Sequence, residues 1–210
     1  LIDMGLEQLD YIERITSKDL EEFKELVNYQ KEEIIITVGS SASKNENQIS
    51  ILNILLNNKE LLNKFKIHII LPLTYGGNVS NELNKKINDI SCDFKITKLE
   101  YFLSYETLAA LRLSTDIYIN NRNNDQFAAA MIEHFYAGSV VMIGSWLDYP
   151  LDDMGAFYES YSNEEEFINK LLSVLNNYNY YKEKCKINKE IFGVQRWDIL
   201  INLWLELYNV

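Results

Sequence analysis

Basic charge is what this chain lacks most: 20 lysines and arginines stand against 31 aspartates and glutamates, a formal net charge of −11. Such a surface repels phosphate backbones and anionic lipid at long range, so general nucleic-acid binding is excluded and no membrane contact is expected through this domain. A small anionic ligand stays within reach, because backbone N–H groups and one or two cations act locally. Cysteine is nearly absent: Cys92 and Cys185 lie far apart, form no C-x-x-C pair and demand no oxidising compartment. Two histidines support neither a metal site nor a nucleophilic triad, so no metal or cofactor is expected. His68 falls in an apolar run and reads as packed; His134 reads as facing solvent. Eight glycines and two prolines disfavour a many-turned β-sandwich and suit long helices between short strands. No apolar run approaches the ~18–20 residues that span a bilayer. Residues 1–13 carry acids in a helical pattern and show no secretory leader.

What is present is alternation. Apolar, β-branched runs at 33–38, 67–71, 94–97, 116–119 and 140–143 predict strands, with a weaker one at 156–158. Continuous apolar strands are buried on both faces, as in parallel sheets. Between and after them, helices are predicted at 46–57, 79–90, 104–113, 126–137, 163–175, 180–190 and 197–208, with an earlier one capped by Ser17. Strand and helix alternating at this spacing mean βαβ units and right-handed crossovers, an α/β Rossmann-like parallel sheet flanked by helices. Residues 1–30 read as an N-terminal helical segment or linker, and 31–210 as the sheet domain. In such sheets ligands bind beyond the carboxyl ends of the strands.

The candidate chemistry sits in the loops that follow strands. After the first comes Gly39-Ser40-Ser41-Ala42-Ser43-Lys44. Small residues allow close backbone approach, hydroxyls donate, and Lys44 offers the point charge a phosphate needs. A plain solvated turn fits as well. Thr74, Tyr75 and the Gly76-Gly77 pair follow the second strand, where Tyr75 could stack on a base or simply be a surface residue. Asp125 and Glu133 are eight apart, near two helical turns, so both are expected on one helix face, able to hold ribose hydroxyls. The same spacing also fits a helix N-capped by Asp125 with Glu133 exposed. Trp197, Trp204 and Tyr208 with Leu200, Leu203 and Leu207 have the spacing of a core-packing or docking face.

The order of these motifs resembles a known family. Asp125-x7-Glu133, continuing as His134-Phe135-Tyr136-Ala137-Gly138-Ser139 into an apolar strand closed by Gly144-Ser145, is similar to the Glu-x7-Glu signature of GT-B glycosyltransferases. Val38-Gly39 ahead of Lys44-Asn45 resembles that family's diphosphate turn, with the usual Arg-plus-Lys pair reduced to Lys44. Residues 71–76 and 103–112 are similar to bacterial lipid-linked N-acetylfucosamine transferases. The likeness covers 33–175. It implies the C-terminal, donor-binding half of a GT-B fold, with Glu133 on the donor ribose and Asp125, shorter than the family's Glu, by the donor sugar as the catalytic-site acid. It places Gly39, Ser40, Ser41, Lys44, Thr74, Tyr75, Tyr101 and Phe127 among the substrate contacts, Tyr101 where the base is received. Implied partners are a nucleotide sugar, a glycan or lipid-linked acceptor in surface polysaccharide synthesis, and an N-terminal acceptor-binding domain not among these residues. The implied location is cytoplasmic, with the rest of the protein at the inner face of the membrane. The alternative is a non-catalytic nucleotide-sugar-binding or partner-docking domain. The donor-site reading hangs on Lys44 and Glu133 gripping opposite ends of one nucleotide from a shared pocket.

Overall fold

Apolar alternation along the strands builds the architecture. The structure, a computed structural model, describes residues 5–125 and 127–208. Six strands, β1 (Ile34–Val38), β2 (Ile67–Pro72), β3 (Lys95–Leu99), β4 (Ile117–Asn120), β5 (Val140–Gly144) and β6 (Glu159–Tyr161), form one sheet in the order β3-β2-β1-β4-β5-β6. Every pairing is parallel. This order reverses direction between β1 and β4, so the crevice of the sheet opens at their carboxyl ends.

Successive strand residues point to opposite faces, and each face has its own helices. On one, Ile36, Val38, Ile69 and Ile119 pack under α3 (Gln48–Asn57), α5 (Asn81–Ile90) and α8 (Glu164–Asn176). On the other, Tyr118, Val141 and Ile143 meet α1 (Glu7–Arg14), α6 (Tyr105–Ser114), α7 (Ala129–Ala137) and Phe192 of α9 (Tyr178–Gly193). Ile35, Ile70 and Leu99 complete that second face with Phe23 of α2 (Ser17–Leu26) and Ala110 and Leu111 of α6. Burying each large side chain of this kind stabilises by ~1.5–3 kcal/mol. The short α4 (Lys59–Leu62) bridges to β2, and α10 (Trp197–Tyr208) closes the described chain. No helix among the described residues is long and apolar enough to cross a membrane.

Several local expectations are corrected. Thr16, not Ser17, caps α2: Asp19 N–H donates to its hydroxyl and the Asp19 carboxylate accepts from Thr16 N–H at 2.8 Å, a reciprocal capping box. The last strand lies at Glu159–Tyr161 and not at 156–158. Helix α7 begins at Ala129, because Phe127 takes φ 68°, a left-handed value no helix admits; Gln126, the expected start, lies outside the described residues. Gly138 at φ 82° ends the same helix. Residues 5–28 pack on the α6–α7 layer: Leu9 is fully buried, Gln8 donates to Tyr105 O at 2.9 Å and Tyr11 stacks on Tyr105. Helix α10 buries little beyond Leu200; Ile199, Leu203, Leu205, Leu207 and Tyr208 are exposed.

Candidate functional site at the strand tips

The β1 turn is built around a buried carboxylate. Gly39 adopts φ 70°, and a Cβ there would lie 2.9 Å from Glu46 Oε2, so only glycine fits. Glu46, in the 3-10 turn Lys44–Glu46, is fully buried. Ser40 and Ser41 donate to its Oε1 at 2.9 and 2.8 Å. Their hydroxyls therefore face inward to Glu46, where the sequence reading had aimed them at a ligand. Gln48 ties the turn down by donating to Val38 O and Ser41 O. Lys44 is exposed and edges a cleft of about 630 Å³ with Gln48, Asn53, Ser80, Leu83 and Glu164.

The β2 loop folds onto this turn. Ala42 N–H donates to Tyr75 O at 2.7 Å, and a Cβ on Gly76 (φ 93°) would lie 2.8 Å from Ser43 N. Thr74 and Tyr75 thus sit beside 41–43. Tyr75, Tyr101 and Phe102 stand 59%, 51% and 86% exposed, an open aromatic rim beyond β2 and β3.

Across the crevice, the β4 tip supplies a cation that the sequence reading passed over. Arg122 donates from Nη1 to Asp125 Oδ1 at 2.7 Å and from Nη2 to Glu46 Oε1 at 3.1 Å, linking the two sides of the switch point. Asp125 Oδ2 accepts from the Tyr149 hydroxyl at 2.5 Å and from Ala128 N–H at 3.1 Å. Burial, and then the bond to Asp125, pushes the Tyr149 hydroxyl well above the usual tyrosine range, so it stays a donor. Phe127 lies edge-on to Tyr149, ring centroids 5.4 Å apart. The signal for Arg122 was a lone cation inside Asn120-Asn121-Arg122-Asn123-Asn124, an amide run that otherwise reads as a turn.

Glu133 sits one helical turn into α7 and turns toward Arg112 of α6. Arg112 Nε donates to its Oε2 at 2.9 Å, both side chains being at most one-tenth exposed. Among the described residues Oε1 makes no hydrogen bond, so the carboxylate keeps one acceptor in hand. Arg112 Nη1 also donates to His134 Nε2 at 3.0 Å. Because that nitrogen accepts, Nδ1 carries the proton and donates to Ser139 Oγ at 3.1 Å. His134 is fully buried and stacked on Tyr118 at 4.0 Å, which overturns its solvent-facing expectation. Burial, aided by Arg112, holds it well below the usual histidine range.

Two expectations about the acids fail on this geometry. Asp125 precedes α7, so the pair does not share one helix face; nor is Glu133 the exposed partner of an N-capping Asp125. The cleft beside Lys44 is walled by α3, α5 and the start of α8, on the face of the sheet opposite α7, and Glu133 is not among its walls. The two residues flank the β1–β4 switch point from opposite faces, and of the two only Lys44 lines this cleft. Among the described residues no three His, Cys, Asp or Glu side chains group as metal ligands.

No protein-family model matches the chain, and no curated protein does. Solved structures do. A glycosyltransferase from Rickettsia africae superposes at TM-score 0.73 with 16% identity, over 99% of this chain and 55% of its own. Sucrose-phosphate synthase from Thermosynechococcus elongatus does so at TM-score 0.71 with 12% identity, over 100% of this chain and 51% of its own. The C-terminal domain of a group 1 glycosyl transferase, LpcC of Francisella tularensis, matches at TM-score 0.64 with 11% identity, over 86% of this chain and 93% of that domain. The chain thus spans about half the length of the full-length neighbours and nearly all of the isolated C-terminal domain. Its fold is that of the Rossmann-like, C-terminal half of GT-B glycosyltransferases.

Proposed function

We propose that this chain binds a nucleoside-diphosphate sugar across the β1–β4 switch point and serves as the donor half of a glycosyltransferase. What carries the reading is one coincidence. Of the residues whose order resembles the family's donor motifs, Gly39, Lys44 and Asp125 lie in the loops after β1 and β4, and Glu133 lies in α7, the helix that follows the β4 loop, around the switch-point crevice of a sheet with that family's fold. Anabaena HepE, solved in complex with UDP and glucose, superposes at TM-score 0.72 with 12% identity over 100% of this chain. In this scheme Lys44 and the N-termini of α3 and α7 offset the departing diphosphate, Glu133 Oε1 takes a ribose hydroxyl, and Tyr75 and Tyr101 flank the base. Asp125 stands by the sugar. The bond from the sugar's anomeric carbon to phosphate breaks, and an acceptor oxygen, from a glycan or a lipid-linked chain in surface polysaccharide synthesis, takes its place. The acceptor and its general base belong to an N-terminal domain, which brings the assembly to the cytoplasmic face of a membrane. No metal is invoked.

The test is a thermal-shift panel of UDP-, GDP-, dTDP- and ADP-sugars. A ligand at 100 times its dissociation constant stabilises by ~2.7 kcal/mol, roughly 5–11 °C for a domain of this size. No shift with any of them removes the donor-site reading. A second reading, a binding domain without turnover, is favoured by Glu46, which already occupies both serine hydroxyls and Arg122. Transfer of labelled sugar by the chain joined to an acceptor domain separates the two.

A further inference from the structure

The geometry points to Arg122 as the second cation for the diphosphate, held at rest between two carboxylates that compete with phosphate for it. The inference rests on the donor-site reading and deepens it. Arg122 follows β4 by two residues, and its guanidinium bridges Glu46 on the β1 side and Asp125 on the β4 side. That places it over the gap where ligands of such sheets lie. A planar guanidinium can present two parallel N–H groups to phosphate oxygens, which the single ammonium of Lys44 cannot.

The resting network is incompletely satisfied, and in a way that suits exchange. Glu46 Oε1 receives three donors, from Ser40, Ser41 and Arg122, while among the described residues its buried Oε2 has no partner. Arg122 Nε is likewise buried without a partner among the described residues. Buried polar atoms left unpaired are costly, and a network serving stability alone pairs them. Two carboxylates against one guanidinium carry a formal charge of −1, so an incoming diphosphate is repelled until Arg122 turns N–H groups toward it. Ser40 and Ser41 then remain to hold Glu46. Glu46 is thus a positioning residue whose charge lowers diphosphate affinity.

Calorimetry on the full chain compares whichever of UDP, GDP, dTDP and ADP binds tightest with its own nucleoside, in the wild type, Arg122→Gln and Glu46→Gln. Arg122→Gln is expected to weaken the diphosphate about tenfold or more and leave the nucleoside within about twofold. Glu46→Gln is expected to tighten the diphosphate roughly threefold or more, again without effect on the nucleoside. An unchanged diphosphate affinity in Arg122→Gln overturns the inference, and so do equal losses for both ligands, the mark of a structural role. Where Arg122→Gln does not fold, Glu46→Gln decides alone, and an affinity at or below wild type overturns it. A wild type that prefers neither ligand over the other sinks the inference and spares the base and ribose contacts. A wild type that binds neither sinks the donor-site reading with it.

Discussion

Replacing Glu133 by alanine should cost far more stability than removing one surface acid. Its partner Arg112 is 4% exposed at the side chain, and the two meet at 2.9 Å. A guanidinium stays charged, so the variant strands a full charge in the α6–α7 interface with, among the described residues, only the neutral His134 nitrogen left to accept from it. Breaking a buried pair from one side costs about 3–5 kcal/mol. For a domain of this size that is a fall of about 6–20 °C in melting temperature. Removing both charges is different. Arg112→Met with Glu133→Leu gains the ~1–4 kcal/mol often recovered when a buried pair becomes apolar, against ~1–3 kcal/mol for the His134 acceptor left unpaired. The double variant should therefore melt near the wild type. Circular dichroism melts of both variants and the wild type in one buffer make the comparison. Glu133→Ala melting within about 2 °C of wild type, at most roughly 1 kcal/mol, would refute the buried-charge argument. A double variant as damaged as the single one would show that lost packing, not a stranded charge, sets the cost.

Two further predictions concern the same folded frame. Both histidines, His68 and His134, are buried and held below their ordinary value of 6.5, chiefly by burial, with Lys95 and Arg112 as the nearby cations and Glu33 and Glu133 as the nearby acids. The unfolded chain therefore takes up protons below pH 6.5 that the folded chain refuses, and stability, level above that pH, falls as pH drops from it. The slope is at most about 2.7 kcal/mol per pH unit for two protons, and urea midpoints that stay flat from pH 7.5 to 5.5 would contradict it. Gly39→Ala puts a Cβ at φ 70° and 2.9 Å from Glu46 Oε2, so a loss of about 1–3 kcal/mol is expected; an unchanged urea midpoint would mean the turn can move away.

The fold was legible where burial alone decides. The runs Ile34–Val38, Ile67–Pro72 and Val140–Gly144 are apolar on both faces because helices cover both, and that pattern needs no long-range knowledge. β6 was misplaced because an edge strand is covered unevenly: Glu159 and Ser160 pair with β5 through backbone, while the apolar Phe157 beside them packs as loop. The capping box of Thr16 was in reach, since Asp19 stands three residues after Thr16 and not after Ser17.

The candidate site was legible in its positions and opaque in its partners, and the reason is sequence separation. Helical spacing rules relate residues three, four or eight apart, whereas Arg122 meets Glu46 across 76 positions and Arg112 meets Glu133 across 21. Spacing even misled, because the Asp125 to Glu133 interval implies one helix face only if the helix runs through both. The φ of Phe127 breaks that continuity, and a positive φ at a bulky residue leaves no mark in composition. The two acids are consequently handled separately, Glu133 by an arginine of the neighbouring helix and Asp125 by an arginine of its own loop. A pair that spacing presented as one ribose clamp is, in three dimensions, two ion pairs on different elements. A ligand at this crevice therefore meets an acid already paired with an arginine at each of them, which is why substitutions that remove charge on the protein side are the most informative ones.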